Sequence, residues 1–327
     1  TQVDESGYIL ITEVYPDSPA LAAGIQAGDM IVKIDETDLT VDNVEEMLQS
    51  LLGEAGTKLD LVVRRDHVDT PYPLTRREVE KPSVYGSLLQ NGVGYVQILE
   101  FGSTTSDQFS RAVDKLVSDG AVALVFDVRG NLGRTNEACY RILDKLLPQC
   151  NIATSVDKNG EEKVQATSDP AHINLPMTVL INEQTAAAAE IFAQALKDVK
   201  SASLVGVTTL GKGTMQVTQQ LDDGSAIDIT VAKVLTPGGQ SFDGVGVKPD
   251  YEVSLTKDQA DAAAALEKTS ADRVELAVQM DPQLKKALEL AATAGNVAGV
   301  SSSSGDAGLE SSSDEELEAG GVEDTED

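Results

Sequence analysis

The sequence predicts an α/β protein in two parts: a small, mostly β module over residues 1–80, then a larger core over 81–255 in which strands and helices alternate. Three observations carry this. Short β-branched runs separated by Gly and Pro turns fill the first eighty residues. From residue 85 onward, the near-continuous apolar runs "AVALVFDVR" and "LPMTVLIN" alternate with amphipathic segments, the pattern of strands buried on both faces between helices. Residues 256–297 are Ala- and Leu-rich with helical spacing, and 298–327 are acidic and of low complexity, a composition that stays disordered.

Each element follows from its local pattern. "GYILITEVY" alternates and is β-branched, so it is a strand. "PDSPALAAGIQAGD" combines turn residues, a short helix and a glycine turn, and "MIVKIDET" is the second strand. "DNVEEMLQSLLGEAG" has helical spacing and a glycine stop. "TKLDLVVRR" is the third strand, followed by the proline-rich connector "VDTPYPLTRREVEKPSV", part of it an edge strand. In the core, "GVGYVQIL" is a strand, "TSDQFSRAVDKLVSDG" an amphipathic helix, "AVALVFDVR" a buried strand and "TNEACYRILDKLL" a helix. "LPMTVLIN" is a buried strand that ends just before the helical stretch "TAAAAEIFAQAL". "SASLVGV", "MQVTQQL" and "SAIDITVAKVL" read as further strands, and "DPQLKKALELAATAG" as a closing helix.

Composition narrows the function classes. The 327 residues are 41% hydrophobic, enough for a real core, but only 4% aromatic with no Trp, so aliphatic side chains fill the interior. The net charge is −29, from 25 basic and 54 acidic residues. A surface this acidic, without a basic patch, repels phosphate backbones and excludes nucleic acid as a partner. There is no 18-residue apolar run and no signal peptide. Thr1 is not a natural start, so upstream sequence is expected outside this chain, and a secretion signal or anchor within it is left open. Cys139 and Cys150 flank a helical segment that would hold them about 16 Å apart, so two buried free thiols are expected. His67 and His172 sit in no ligand-like cluster, which argues against a zinc site, any metal cofactor or a Ser-His-Asp triad.

"PDSPALAAGIQAGDMIVKIDETDL" resembles a PDZ domain of the bacterial protease-associated type. Together with "FDVRGNLGR", "INEQTAAAAEIFAQALKD", "GVTTLGKGTMQ" and "LTPGGQSFDGVGVKPDYEV", in that order, the chain is similar to the carboxyl-terminal processing (tail-specific) proteases of the Ser-Lys type. The likeness covers roughly residues 5–290 and implies a PDZ module followed by a crotonase-like peptidase core. It also implies a serine endopeptidase that needs no cofactor and acts on unstructured, apolar protein C-termini. A bacterial cell-envelope location, a homodimer and a membrane anchor all fit this resemblance.

The resemblance assigns roles residue by residue. The family's nucleophilic serine falls on Ala187, with Thr185, Ala186, Ala188, Ala189 and Glu190 matching around it. Its general base falls on Lys212 and the polar residue that orients this lysine on Gln216. The oxyanion donors fall on the N–H groups of Gly133 and Ala188. A lysine acts as a base only when neutral, so Lys212 is expected to be buried against apolar surface, which lowers its pKa. A serine at a helix start is served by the free N–H groups there.

Three departures stand out. Ala187 has no oxygen, Arg134 replaces the family's second glycine after Asn131, and "TQVDESG" lacks the glycine-rich carboxylate-binding strand expected before residue 7. An alanine run alone is ordinary helix packing, but Lys212 and Gln216 downstream favour a single Ser→Ala change in an otherwise intact site. A natural pseudoprotease that binds polypeptide tails is the alternative.

Other motifs have blander readings. "GVTTLGKGT" falls one residue short of a phosphate-binding loop and precedes a strand rather than a helix. Asp127 and Arg129 read as an ion pair that shapes the loop to Gly133, and Thr185 as a helix N-cap rather than a substitute nucleophile.

Overall fold

Strand alternation, shifted by one residue at a bulge between Ile31 and Lys33, places Ile9, Ile31, Ile34, Leu59, Leu61 and Val63 on one side of the first sheet, where they form a separate core with Ile25 and Val44. A computed structural model describes residues 1–221, 223–264, 274 and 277–294 of the chain. The expected tail over 298–327, and part of the segment 256–297, lie outside the described residues. The first sheet runs β1 (Gln2–Val3), β2 (Ile9–Leu10), β3 (Met30–Ile34), β5 (Lys58–Arg65), β6 (Val68–Thr75), all antiparallel, with β4 (Thr37–Asp38) beside β3. The sequence reading has no strand before residue 7; the structure puts the two-residue β1 there. The first part of its proline-rich connector is β6, an edge strand as expected, where Pro71 and Pro73 cost no ladder bonds to a further neighbour. Helix α1 (Pro19–Ala22) is capped by Ser18, whose hydroxyl accepts from Leu21 N at 3.1 Å, and α2 (Val44–Ser50) closes the module.

The core of the molecule is a second sheet in the order β16 (Tyr251–Glu252), β13 (Ala202–Gly206), β12 (Met177–Ile181), β9 (Ala123–Asp127), β8 (Val93–Ile98), β7 (Val84–Leu88). All of its pairings are parallel except β7 with β8. β9 and β12 are buried at every position, as their unbroken apolar runs predict. Leu124 and Phe126 point to the layer of α3 (Thr105–Ser118), α4 (Asn136–Leu146) and α5 (Ala188–Asp198), where Phe109, Phe126, Phe192 and Phe101 stack in sequence at centroid distances of 5.6–5.8 Å. Ala123 and Val125 point the other way, to α7 (Pro282–Ala294), which packs on them through Leu284, Ala287, Leu288 and Ala291. A short α6 (Lys257–Ala264) precedes it.

A third sheet, antiparallel in the order β11 (Glu162–Thr167), β10 (Asn151–Asp157), β15 (Ala226–Leu235), β14 (Thr214–Gln220), stands beside the core. The β10–β11 hairpin and β7 are absent from the sequence reading. Cys139 is buried and Cys150 partly so, and both are free thiols. Burial pushes the Cys139 thiol well above its ordinary pKa, leaving it inert.

Candidate active site

Three loops meet at the carboxyl ends of the parallel strands, where open α/β sheets bind ligands. They follow β9 (128–135), β12 (182–187) and β13 (207–213). Side chains and backbone lace the first two together. Asn182 Oδ1 accepts from Gly130 N at 2.9 Å and Thr185 N at 3.1 Å, Thr185 Oγ1 donates to Val128 O at 2.9 Å, and Ala186 N donates to Asn131 O at 2.9 Å. The buried Asn131 anchors its own loop, donating from Nδ2 to Ile98 O at 2.8 Å.

At the centre of this lacing the chain turns from β12 into α5 through Ala187, whose φ is 52° and ψ −115°. A non-glycine residue holds such a backbone only where its surroundings over-determine it. A strained strand–turn–helix of this kind projects residue 187 at the mouth of a helix, the local solution used to present a nucleophile. Ala186, Ala188 and Ala189 are 2%, 0% and 0% exposed, whereas Ala187 is half-buried. Three of the four alanines are packing, and one faces outward.

The third loop is held by a residue to which the sequence reading gave no role. Glu190, fully buried on α5, accepts from Ala187 N at 3.0 Å, Gly211 N at 2.6 Å, Lys212 N at 2.8 Å and the Thr209 hydroxyl. Four donors on one carboxylate compensate its removal from water. Backbone nitrogens of residues 187 and 212 thus share the single oxygen Oε2. Gly211 sits at φ 88°, and a Cβ there would meet Gly246 N at 2.8 Å, so only glycine lets the lysine loop pass that close to the 244–246 turn. The signal for Glu190 was its spacing, three residues after 187, where a carboxylate reaches back to the cap N–H.

The structure brings some of the expected residues together and leaves others apart. Gly133 lies against the turn: a Cβ there would be 2.9 Å from Ala188 N and 3.0 Å from Ala187 Cβ. Its N–H, however, donates to Asn131 Oδ1 at 2.8 Å rather than toward residue 187. Ala188, first residue of α5, has an N–H without an acceptor among the described residues, as helix starts do. Lys212 was expected to be buried; it is exposed, because the loop that carries it leads straight into a solvated ribbon. Gln216 is also exposed, on β14, and no hydrogen bond joins it to Lys212; the extended chain between them carries the two side chains apart where a helical turn would stack them. Thr185 is not the N-cap expected of it: α5 begins at Ala188, and Thr185 closes the 182–185 turn by accepting from Asn182 N at 3.0 Å. The cap position is Ala187, whose N–H the Glu190 carboxylate accepts.

Arg134 has φ 115°, in the region that favours glycine, and its guanidinium donates to Glu100 Oε1 at 2.9 Å. Asp127 and Arg129 form the expected ion pair at 2.7 Å, extended by Asp281 at 2.8 Å and Gln283 at 3.0 Å on the closing segment. Burial works against the Arg129 charge, but Asp127 and Asp281 more than offset it and raise its pKa above the ordinary value. Tyr95, buried and donating to Asp127 at 2.8 Å, is pushed well above the ordinary phenol range by burial first and then by that carboxylate. Beside this network lies a polar cavity of about 370 Å³ lined by Asp127, Arg129, Asn182, Gln184, Val207 and Gln283. The glycine-lysine loop opens strand β14 and no helix, which removes the phosphate-loop reading. Among the described residues no three His, Cys, Asp or Glu side chains gather as a metal site, and no helix is long and apolar enough to cross a membrane.

Comparison with known proteins assigns this architecture to a class. Residues 92–253 belong to Peptidase family S41 and residues 10–65 to the PDZ domains, so the chain carries a PDZ module and a peptidase core of the serine class. Among curated relatives, it is 35% identical over 257 residues to the carboxy-terminal processing protease CtpA of Bacillus subtilis (strain 168), a match covering 78% of this chain and 55% of that protein. The chain therefore spans about half the length of that relative. A solved photosystem II D1 C-terminal processing protease superposes with a TM-score of 0.50 at 29% identity, covering 82% of this chain and 74% of that one. The fold is shared with an S41 protease structure from Bacteroides fragilis NCTC 9343, at a TM-score of 0.52, 21% identity and coverage of 90% and 80%.

Proposed function

We propose that this chain is the PDZ and peptidase portion of a C-terminal processing serine endopeptidase of the Ser-Lys type, with Ala187 in the nucleophile position, so that it binds polypeptide tails without cutting them. The observation that carries this reading is the placing of residue 187. It stands half-exposed on a strained turn at a helix start, and one buried carboxylate ties its backbone to that of Lys212. With a serine there, and Lys212 carried inward from solvent with its ribbon, the hydroxyl proton passes to the lysine amine as Oγ attacks the substrate carbonyl. The Ala188 N–H, joined by that of Gly133 once it leaves Asn131, receives the oxyanion. The protonated lysine then donates to the leaving amine, and water completes the cycle on the acyl-enzyme. Gln216 orients Lys212 in this scheme after the ribbon that carries it moves inward. The substrates are unstructured, apolar protein C-termini met outside the cytoplasm, and the full protein works as a homodimer anchored at the membrane.

A second reading has its own support. Lys212 is solvated, the Gly133 N–H is occupied and Arg134 strains the loop next to it, all of which suit a pseudoprotease that holds tails. Ala187→Ser separates the two. On the peptidase reading the restored chain cleaves an unfolded protein with an apolar tail, and Ala187→Ser with Lys212→Ala does not. A folded, tail-binding Ala187→Ser chain that cuts nothing establishes the pseudoprotease.

A further inference from the structure

Sheet edges attract further strands, and proteins guard them with proline, charge or shortness. Three edge strands among the described residues exceed five residues. β6 carries Pro71 and Pro73, and β11 carries Glu162 and Lys163. β14, "TMQVTQQ", carries neither proline nor charge. From Gln216 onward it pairs only with Ala226–Thr230 of β15, which meets β10 only from Ala232 to Leu235. This part of the sheet is a two-stranded ribbon standing in solvent, an arrangement that is marginal without a further partner. One of its faces is apolar: Val217 and Ile229 pair directly, Ile227 lies two residues along, and they are 52%, 45% and 45% exposed.

The ribbon is continuous with the site. β14 starts two residues after Lys212, and its root is fixed on both sides by Lys212 N on Glu190 and by Val234 N on Gly213 O at 2.8 Å. We propose that the unguarded edge of β14 is a docking track on which an extended, non-acidic polypeptide segment adds as a further strand and is led to the turn at residue 187. The inference rests on the peptidase reading and names how that site would take its substrate. Backbone pairing suits a substrate known only by being unfolded, because it reads no side chains; the Val217–Ile229 face adds the preference for apolar ones. Charge selects the occupant. At a net −29, an acidic segment is repelled, while a neutral or basic segment is not.

The chain as it stands, with Ala187, permits a binding test without turnover. The probe is a fluorescein-labelled, uncharged peptide of alternating Val and Thr with a free C-terminus, with two analogues N-methylated at odd or at even positions. In one register methylation removes the bonds to the edge, so at least one analogue binds at least about tenfold more weakly than the parent. Hydrogen exchange of residues 214–220 slows on binding the parent peptide, and Val217→Glu weakens that binding by a similar factor. Equal binding of all three peptides, or protection that appears only elsewhere, overturns the track. So does protection of 214–220 that rises with chain concentration and no peptide, since a second copy is then the occupant. Cleavage of the parent by Ala187→Ser with a KM unmoved by N-methylation overturns the track and leaves the peptidase. Protection of 214–220 without cleavage upholds the track and removes the peptidase.

Discussion

Ala187 and its neighbours divide scaffold from chemistry within four residues. Ala186, Ala188 and Ala189 are small because α5 packs closely on the core, while Ala187 carries the positive φ and the outward Cβ. The sequence singled out position 187 only through Lys212 and the flanking motifs, because an alanine run holds no record of backbone strain. Arg134 was legible as a departure, and its φ of 115° gives the departure an energy. Arg134→Gly relieves the strain, about 1 kcal/mol, and loses an exposed ion pair to Glu100 worth a few tenths; the midpoint of urea unfolding therefore rises. Asp29 shows the pH consequence of a single pair. Hydrogen bonds from the Arg65 guanidinium at 2.6 and 2.7 Å hold its carboxyl below the ordinary value, against the opposing effect of burial. A depressed folded-state pKa adds stability in full above the unfolded value of about 3.9 and loses it as pH falls through the folded one. Melting curves of Asp29→Asn should accordingly show a shallower loss of stability below about pH 4 than the parent chain.

Among the elements, those with a strong local signal were read correctly: β9 and β12 from their unbroken apolar runs, and α3 and α4 from their periodicity, fall where their patterns place them. The β10–β11 hairpin was missed although Asn159-Gly160 marks its turn, with the Asp157 carboxylate accepting from Asn159 N and Glu161 N at 2.8 Å. Its strands are half polar and sit between louder signals. β7 was missed because Gly86 interrupts it, and that glycine lets Ala112 of α3 approach to 3.3 Å of where a Cβ would be. The assembly of three loops by Glu190 was invisible for a different reason: its partners in the third loop are the Thr209 hydroxyl and the backbone N–H groups of Gly211 and Lys212, 19 to 22 residues away, which no local motif records. Glu190→Gln turns two acceptor oxygens into one oxygen and one amide donor facing backbone N–H groups. The expected cost is about 2–3 kcal/mol, seen in denaturant unfolding, with exchange of the Gly211 and Lys212 amides quickened more than that of β9. On the peptidase reading, the same change in the Ala187→Ser background should lower kcat more than it raises KM.

Across the whole molecule, the parallel sheet supplies rigidity on both of its faces, and the closing helix α7 is its lid on one side. The link is electrostatic as well as apolar: Arg129 at the end of β9 reaches Asp281, 152 residues on in the chain. Sequence reading found the Asp127–Arg129 pair from two positions two residues apart but had no means of finding Asp281. Arg129→Ala would leave two buried carboxylates without their cation, at a cost of about 3–5 kcal/mol. Calorimetry of that variant should show α7 and the sheet losing their shared transition.

The Glu190 clasp also bears on how such proteins age. It grips main-chain nitrogens at 187 and 212 and is indifferent to the side chains those positions carry. A lineage can therefore exchange the side chains at these two positions and keep the outline of the turn intact. The outline of this turn is thus written in main-chain bonds and one buried carboxylate, and substitution of the side chain at 187 leaves it standing.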